Sequence, residues 1–121
     1  MALVMVLGGP LQEEFGWRGY ALDRLQARYS ALIASILLGI IWASWHLPLF
    51  FIAGSAQQGI ELSFYHVSLI GIAIIMTWFH NNTKASILTA LLAHALINSI
   101  SELFVFEGGG GGAGYNYFAL T

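Results

Sequence analysis

Two carboxylates, a guanidinium, two imidazoles and a carboxamide interrupt an otherwise apolar chain: Glu13, Glu14, Arg18, His46, His94 and Asn98. They fall in three short constellations, Glu13-Glu14-Phe15-Gly16-Trp17-Arg18, Trp42-Ala43-Ser44-Trp45-His46 and His94-Ala95-Leu96-Ile97-Asn98. An ionisable group inside a bilayer costs at least ~2.5–3.5 kcal/mol on insertion scales, so it usually marks a functional interior. Acid, imidazole and amide together are the parts of a site that activates water.

Each constellation has a chemical reading and a plainer one. Glu14 and Arg18 are four residues apart and share a helix face, where a carboxylate can hold a guanidinium. Glu13 lies about 100° round the helix, outside that pair, and is a candidate general base. The plainer reading is a juxtamembrane helix with solvated charges. His46 follows Trp42 by one helical turn, and the indole's bulk can fix the imidazole's orientation. Pro48 cannot donate to the carbonyl of Ser44, so a bend is expected there. Read alone, His46 is equally an imidazole satisfied within a core. His94 and Asn98 again share a face and offer neutral donors for a developing oxyanion. Their plainer role is a hydrogen bond that glues helices together.

The elements that must position these groups are membrane-grade. Apolar residues make up 58% of the 121 and charged ones 8%, against roughly 25% charged in an average soluble domain. Mean hydropathy is +0.75. The expected fold is all-α, a polytopic transmembrane helical bundle in one domain over residues 1–107. Its spans are expected at about 31–52, 60–79 and 85–106, each near the ~20 residues that cross the hydrocarbon. A leading helix should run from Pro10, well placed as a first helical residue, to about Arg28. Met1–Leu7 is apolar and too short to span, and residues 108–121 form a Gly-rich tail expected to be disordered. No basic leader with a cleavage site precedes the apolar residues, so no removable signal peptide is expected. Arg18, Arg24, Arg28 and Lys84 fall on one side of the spans, which the positive-inside rule assigns to the cytoplasm.

If the leading helix and the first span form a hairpin turning at Tyr29-Ser30, Glu13 and His46 stand level, roughly 25 Å from the turn. Asn98 reaches a similar height from Lys84. Other polar residues carry less: His80 reads as interfacial, in a polar turn with Asn81, Asn82 and Lys84. His66 reads as snorkelling and Glu102 as exposed. A formal charge of −2, with no basic cluster interleaved with aromatics, excludes nucleic acid as a partner. The absence of cysteine excludes disulfides, thiolate ligands and a thiol nucleophile.

Glu-Glu-x-x-x-Arg at 13–18, aromatic-x-x-x-His at 42–46 and His-x-x-x-Asn at 94–98, in this order on membrane helices, resemble the CPBP family. That group comprises CAAX prenyl endoproteases and bacteriocin-processing or self-immunity (Abi) proteins. Trp17-Arg18-Gly19-Tyr20 and Trp45-His46-Leu47-Pro48 strengthen the likeness, which covers about residues 8–105. It implies a multi-pass intramembrane glutamic-type endopeptidase without a cofactor. By that likeness Glu13 and His46 activate the attacking water, His94 and Asn98 support the oxyanion, and Glu14 and Arg18 organise the site. The implied partners are membrane lipid and a membrane-associated or lipidated polypeptide, prenylated in the CAAX case. The chain departs from the family in carrying Trp42 where Phe is usual. Only Met1–Leu7 stands where the family usually carries further membrane helices before the glutamates, so the chain is expected to be a fragment, a short variant, or a form that completes its bundle by assembly as a homo-oligomer. Two alternatives stand beside this reading. One is a zinc metalloprotease using Glu13 or Glu14, His46 and His94, although no His-Glu-x-x-His helix exists. The other is a non-catalytic membrane immunity or scaffold protein whose polar cluster merely packs.

Overall fold

Pro10, which needs no N–H at a helix start, opens α1, and the helix runs through residues 10–26. The computed structural model of the chain describes residues 9–55 and 57–108, with side chains described through residue 101. The expectations for Met1–Leu7, for the tail beyond residue 108 and for the exposure of Glu102 lie outside those limits. Within α1 the segments Pro10–Gly16 and Leu22–Gln26 are α-helical, and Trp17–Ala21 between them is a π-turn. Its signature is the Leu22 N–H bonded to the carbonyl of Trp17, five residues back. Such π-turns recur at functional positions because they rotate the side chains on either side relative to a regular helix. This one holds Arg18.

Ser30 caps the next helix, α2 (Ala31–Trp45), its hydroxyl accepting from the Ile33 N–H at 3.4 Å. Helix α2 folds back on α1: Leu22 is buried with Ala34 and Leu38, and Trp17, Ala21 and Leu25 pack around them. This is the expected hairpin. At its far end α2 stops at Trp45 and becomes a 3₁₀ turn over Leu47–Phe51. Pro48 accounts for the change, since it leaves the Ser44 carbonyl without an i+4 donor.

The long helix α3 (Leu62–Asn82) lies tightly against α2. A Cβ on Gly39 would stand 2.7 Å from the Ile70 Cα and 3.1 Å from the Ala73 Cβ, so only glycine permits this approach. Ser35, Gly39 and Ala43, four residues apart, are all buried and make a shallow stripe for α3 to lie along. Small residues at this spacing let helix backbones meet closely in membranes, where van der Waals contact replaces the hydrophobic drive. Helix α4 (Ile87–Gly108) follows a turn in which Lys84 and Ala85 both have left-handed backbones, φ 56° and 55°. The core joins Trp42 and Ala43 to Leu69, Ala73, Met76 and Ala90.

All regular structure among the described residues is helical, as expected. Two stretches, Ala31–Phe51 and Leu62–Asn82, are long and apolar enough to cross a membrane, and Ile87–Ser101 of α4 is a shorter apolar one. Their outer faces present Leu32, Ile40, Val67, Ile75, Leu88 and Leu96, the arrangement that suits lipid rather than water.

One expectation fails. His80 is not interfacial but 2% exposed. Helix α3 continues to Asn82, which places His80 on the inward face already set by Leu69, Ala73, Met76 and Thr77. Asn81 instead exchanges two hydrogen bonds with Gln26 at the end of α1.

Candidate active site

Of the six sequence-identified residues Glu14, Arg18 and His94 are buried and Glu13, His46 and Asn98 half-buried, and Arg18 and His94 meet Glu14 at one oxygen. Glu14 and Arg18 are both fully buried, with Arg18 Nη1 donating to Glu14 Oε1 at 2.8 Å. The four-residue spacing that selected Glu14 over Glu13 as the partner of Arg18 holds. The same Oε1 receives His94 Nδ1, also at 2.8 Å, from α4. A buried carboxylate with two charge-assisted partners has most of its desolvation offset. It also ties α1 to α4 where the sequence offered no pairing signal.

Trp42 is the residue the sequence undervalued. Beyond the bulk it presents to His46, it is the hub of the candidate site. Its indole Nε1–H donates to Glu13 Oε2 at 2.6 Å. Its carbonyl lies 2.9 Å from His46 Nδ1. The guanidinium of Arg18 sits 5.0 Å over its ring, close enough for a cation–π contact. The imidazole of His94 meets the same ring edge-on, with centroids 5.2 Å apart. The available signal was that an indole, unlike a phenyl ring, carries a donor that must find an acceptor when buried.

The α1–α2 hairpin brings Glu13 to α2 at Trp42, one turn before His46 in sequence. The two candidate bases are still joined through one residue, since Trp42 holds Glu13 by its side chain and His46 by its carbonyl.

Hydrogen bonding decides what each imidazole can do. A carbonyl only accepts, so the His46 contact places a proton on Nδ1 and leaves the neutral ring's lone pair on Nε2. That is the tautomer a general base needs. Trp45 and Tyr65 stand edge-on to the ring, at 5.0 and 5.9 Å between centroids, and further fix its plane. Tyr65 was not singled out from the sequence, where nothing distinguished it from an interfacial aromatic.

His94 was expected to offer a donor in its neutral form. The structure corrects this. Its Nδ1 faces the carboxylate of Glu14 and holds the proton there, so neutral His94 presents an acceptor at Nε2. It donates from both nitrogens only as the imidazolium. Asn98 is half-buried one turn further along α4, with no hydrogen bond among the described residues. Its carboxamide keeps its two donors.

His66 bonds its own helix, Nδ1 lying 2.8 Å from the Leu62 carbonyl, and stays outside the site. Among the described residues no three His, Asp or Glu side chains gather in a way that could hold a metal ion.

Residues 1–100 match the family described as type II CAAX prenyl endopeptidase Rce1-like. The chain is also 44% identical over 108 residues to CAAX prenyl protease 2 of Methanococcus maripaludis. That alignment takes in 84% of this chain but 40% of the relative, so the chain spans well under half of that protein's length. No solved structure matches it.

Proposed function

Since the chain belongs to the Rce1-like type II CAAX prenyl endopeptidase family, we propose that it carries the hydrolytic centre of an intramembrane endopeptidase. Its substrate class is a membrane-associated polypeptide bearing a prenyl group near its C-terminus. Its chemistry is attack of water on the peptide carbonyl, without a covalent acyl-enzyme. The long apolar helices cross the membrane, with Arg24, Arg28 and Lys84 at the cytoplasmic side.

The observation that carries this reading is the convergence on Trp42 of Glu13, His46, Arg18 and His94. Glu13 and His46 Nε2 supply two acceptors for the protons of one water, which becomes nucleophilic as a proton leaves. The proton then passes to the departing amine. The amide of Asn98, and His94 whenever its Nε2 carries a proton, donate to the oxyanion as the carbonyl carbon becomes tetrahedral. Glu14 and Arg18 neutralise one another, so the second carboxylate adds no net charge to the site. Their part is to hold His94 in place and to set its proton on Nδ1.

The test uses the 121-residue chain in detergent or lipid on two substrates, a prenylated C-terminal peptide and an unmodified membrane-spanning peptide. Cleavage of the first alone, abolished in Glu13→Gln and indifferent to chelator, is the expected result. Full cleavage by Glu13→Gln overturns the glutamic mechanism. Activity lost to chelator and restored only by zinc would assign the reaction to a metal instead.

A further inference from the structure

Between the Glu14–His94 bond and the Lys84 turn lies a second set of buried polar groups that the chemistry above does not use. His80 is 2% exposed, and neither ring nitrogen has a hydrogen-bond partner among the described residues. Thr77, one turn earlier on α3 and equally buried, has an unpartnered hydroxyl. Arg18 uses Nη1 for Glu14 while Nε and Nη2, fully buried, bond nothing described. Asp23 stands at the outer end: its carboxylate is 64% exposed and 3.9 Å from His80 Nε2. The Gln26–Asn81 pair clamps α1 to α3 beside it and keeps Asp23 opposite His80. The charged groups that act on His80 are Asp23, Arg18 and Glu14, from the mouth to the inner end of this set.

More than nine in ten buried polar groups bond to protein or ordered water. Five unpartnered atoms in one region, on Arg18, Thr77 and His80, break that rule together, and they lead from solvent toward a buried carboxylate. Their chemistry is matched to a single ligand. Arg18 donates, Asp23 accepts, and Thr77 and neutral His80 do both, which gives each water in such a row the two to four partners it needs. Hydrolysis consumes one water per turnover, and the lipid-facing sides of α2 and α3 offer it no route. We propose that Asp23, His80, Thr77 and Arg18 line a water-filled path from the basic turn to the buried Glu14 carboxylate, through which the hydrolytic water is supplied. The supply role rests on the hydrolase reading above; the water itself does not.

The experiment reads the two separately. Deuterium exchange at the imidazole C2 position, followed by mass spectrometry on the full chain in D2O, reports water at each histidine without any need for activity. His80 is expected to exchange within about threefold of half-buried His66. Thr77→Val, which removes the hydroxyl at constant volume, should slow His80 at least tenfold and leave His66 unchanged, whereas Thr77→Ser should keep both fast. Turnover should fall about tenfold in Thr77→Val at unchanged KM, and recover in Thr77→Ser. Slow exchange of His80 in the unaltered chain overturns the path. Fast exchange with undiminished turnover in Thr77→Val overturns its supply role. If no form of the chain cleaves peptide, the hydrolase reading fails and the exchange ratio alone decides whether the path holds water.

Discussion

Glu14 Oε1 lies 2.8 Å from His94 Nδ1, a bond that joins α1 to α4 across eighty residues. Because the same oxygen holds Arg18, one carboxylate fixes a cation and an imidazole at once. Glu14→Ala leaves a fully buried guanidinium unpaired, which typically costs about 3–5 kcal/mol. The expected outcome is a large drop in yield and thermal stability in detergent as well as lost activity. Unchanged stability in that variant would refute the structural role of Glu14.

Glu13 and His46 are half-buried and take part in no buried ion pair among the described residues. Replacing either by Gln or Ala should lower turnover by ~10² or more with substrate binding retained, the pattern of general-base loss. Single-turnover cleavage, read beside peptide binding, separates the two quantities. Equal losses in KM and none in kcat would place these residues in binding instead.

Trp42→Phe tests the hub more finely. The phenyl ring can keep its place beneath Arg18 and against His94, but the donor to Glu13 is gone. Without that donor Glu13 is less firmly placed for its water, and a misplacement worth about 1.4 kcal/mol of barrier is tenfold in rate. Turnover should fall about tenfold while the thermal midpoint moves little, and Trp42→Ala should lose both. The comparison is made by kinetics and thermal unfolding on the same preparations.

Gly39 should tolerate no side chain. A methyl group there meets the backbone of Ile70 at 2.7 Å, and backbone cannot swing aside as a side chain can. Gly39→Ala is expected to destabilise by about 1–3 kcal/mol, as overpacking does, and Gly39→Leu to prevent folding. Thermal unfolding in detergent gives the first figure, and size exclusion reports the second.

Ala85 predicts a gain. At φ 55° its Cβ crowds its own backbone, at roughly 1–2 kcal/mol for a left-handed residue. Gly removes that strain but loses about 0.5–1 kcal/mol of chain entropy. Ala85→Gly should therefore stabilise by about 0.5–1 kcal/mol, visible as a higher thermal midpoint.

Much of the site was legible from the chain alone, for reasons that are local. The spacing of four between Glu14 and Arg18 dictates a shared helix face, and they pair there. Pro48 removes a donor, and α2 changes to 3₁₀ at that point. The close crossing of Gly39 with Ile70 was not read from the chain, because it depends on which helix α2 meets there. His80 was misread because a polar run of Asn81, Asn82 and Lys84 looks like a turn. Nothing local tells that α3 extends two residues past His80.

Composition, the apolar runs and the four-residue spacings by themselves determined a helical membrane protein and the residues that could do chemistry in it. Those signals depend only on helix periodicity and on the cost of charge in hydrocarbon. Tertiary structure decided which partner each group takes: Trp42 for Glu13, Glu14 for His94, the Trp42 carbonyl for His46. Partner choice depends on the angle and depth at which helices cross. The close contact at Gly39 fixes how near α2 and α3 approach, and the bonds to Trp42 and Glu14 place the protons of His46 and His94 on Nδ1.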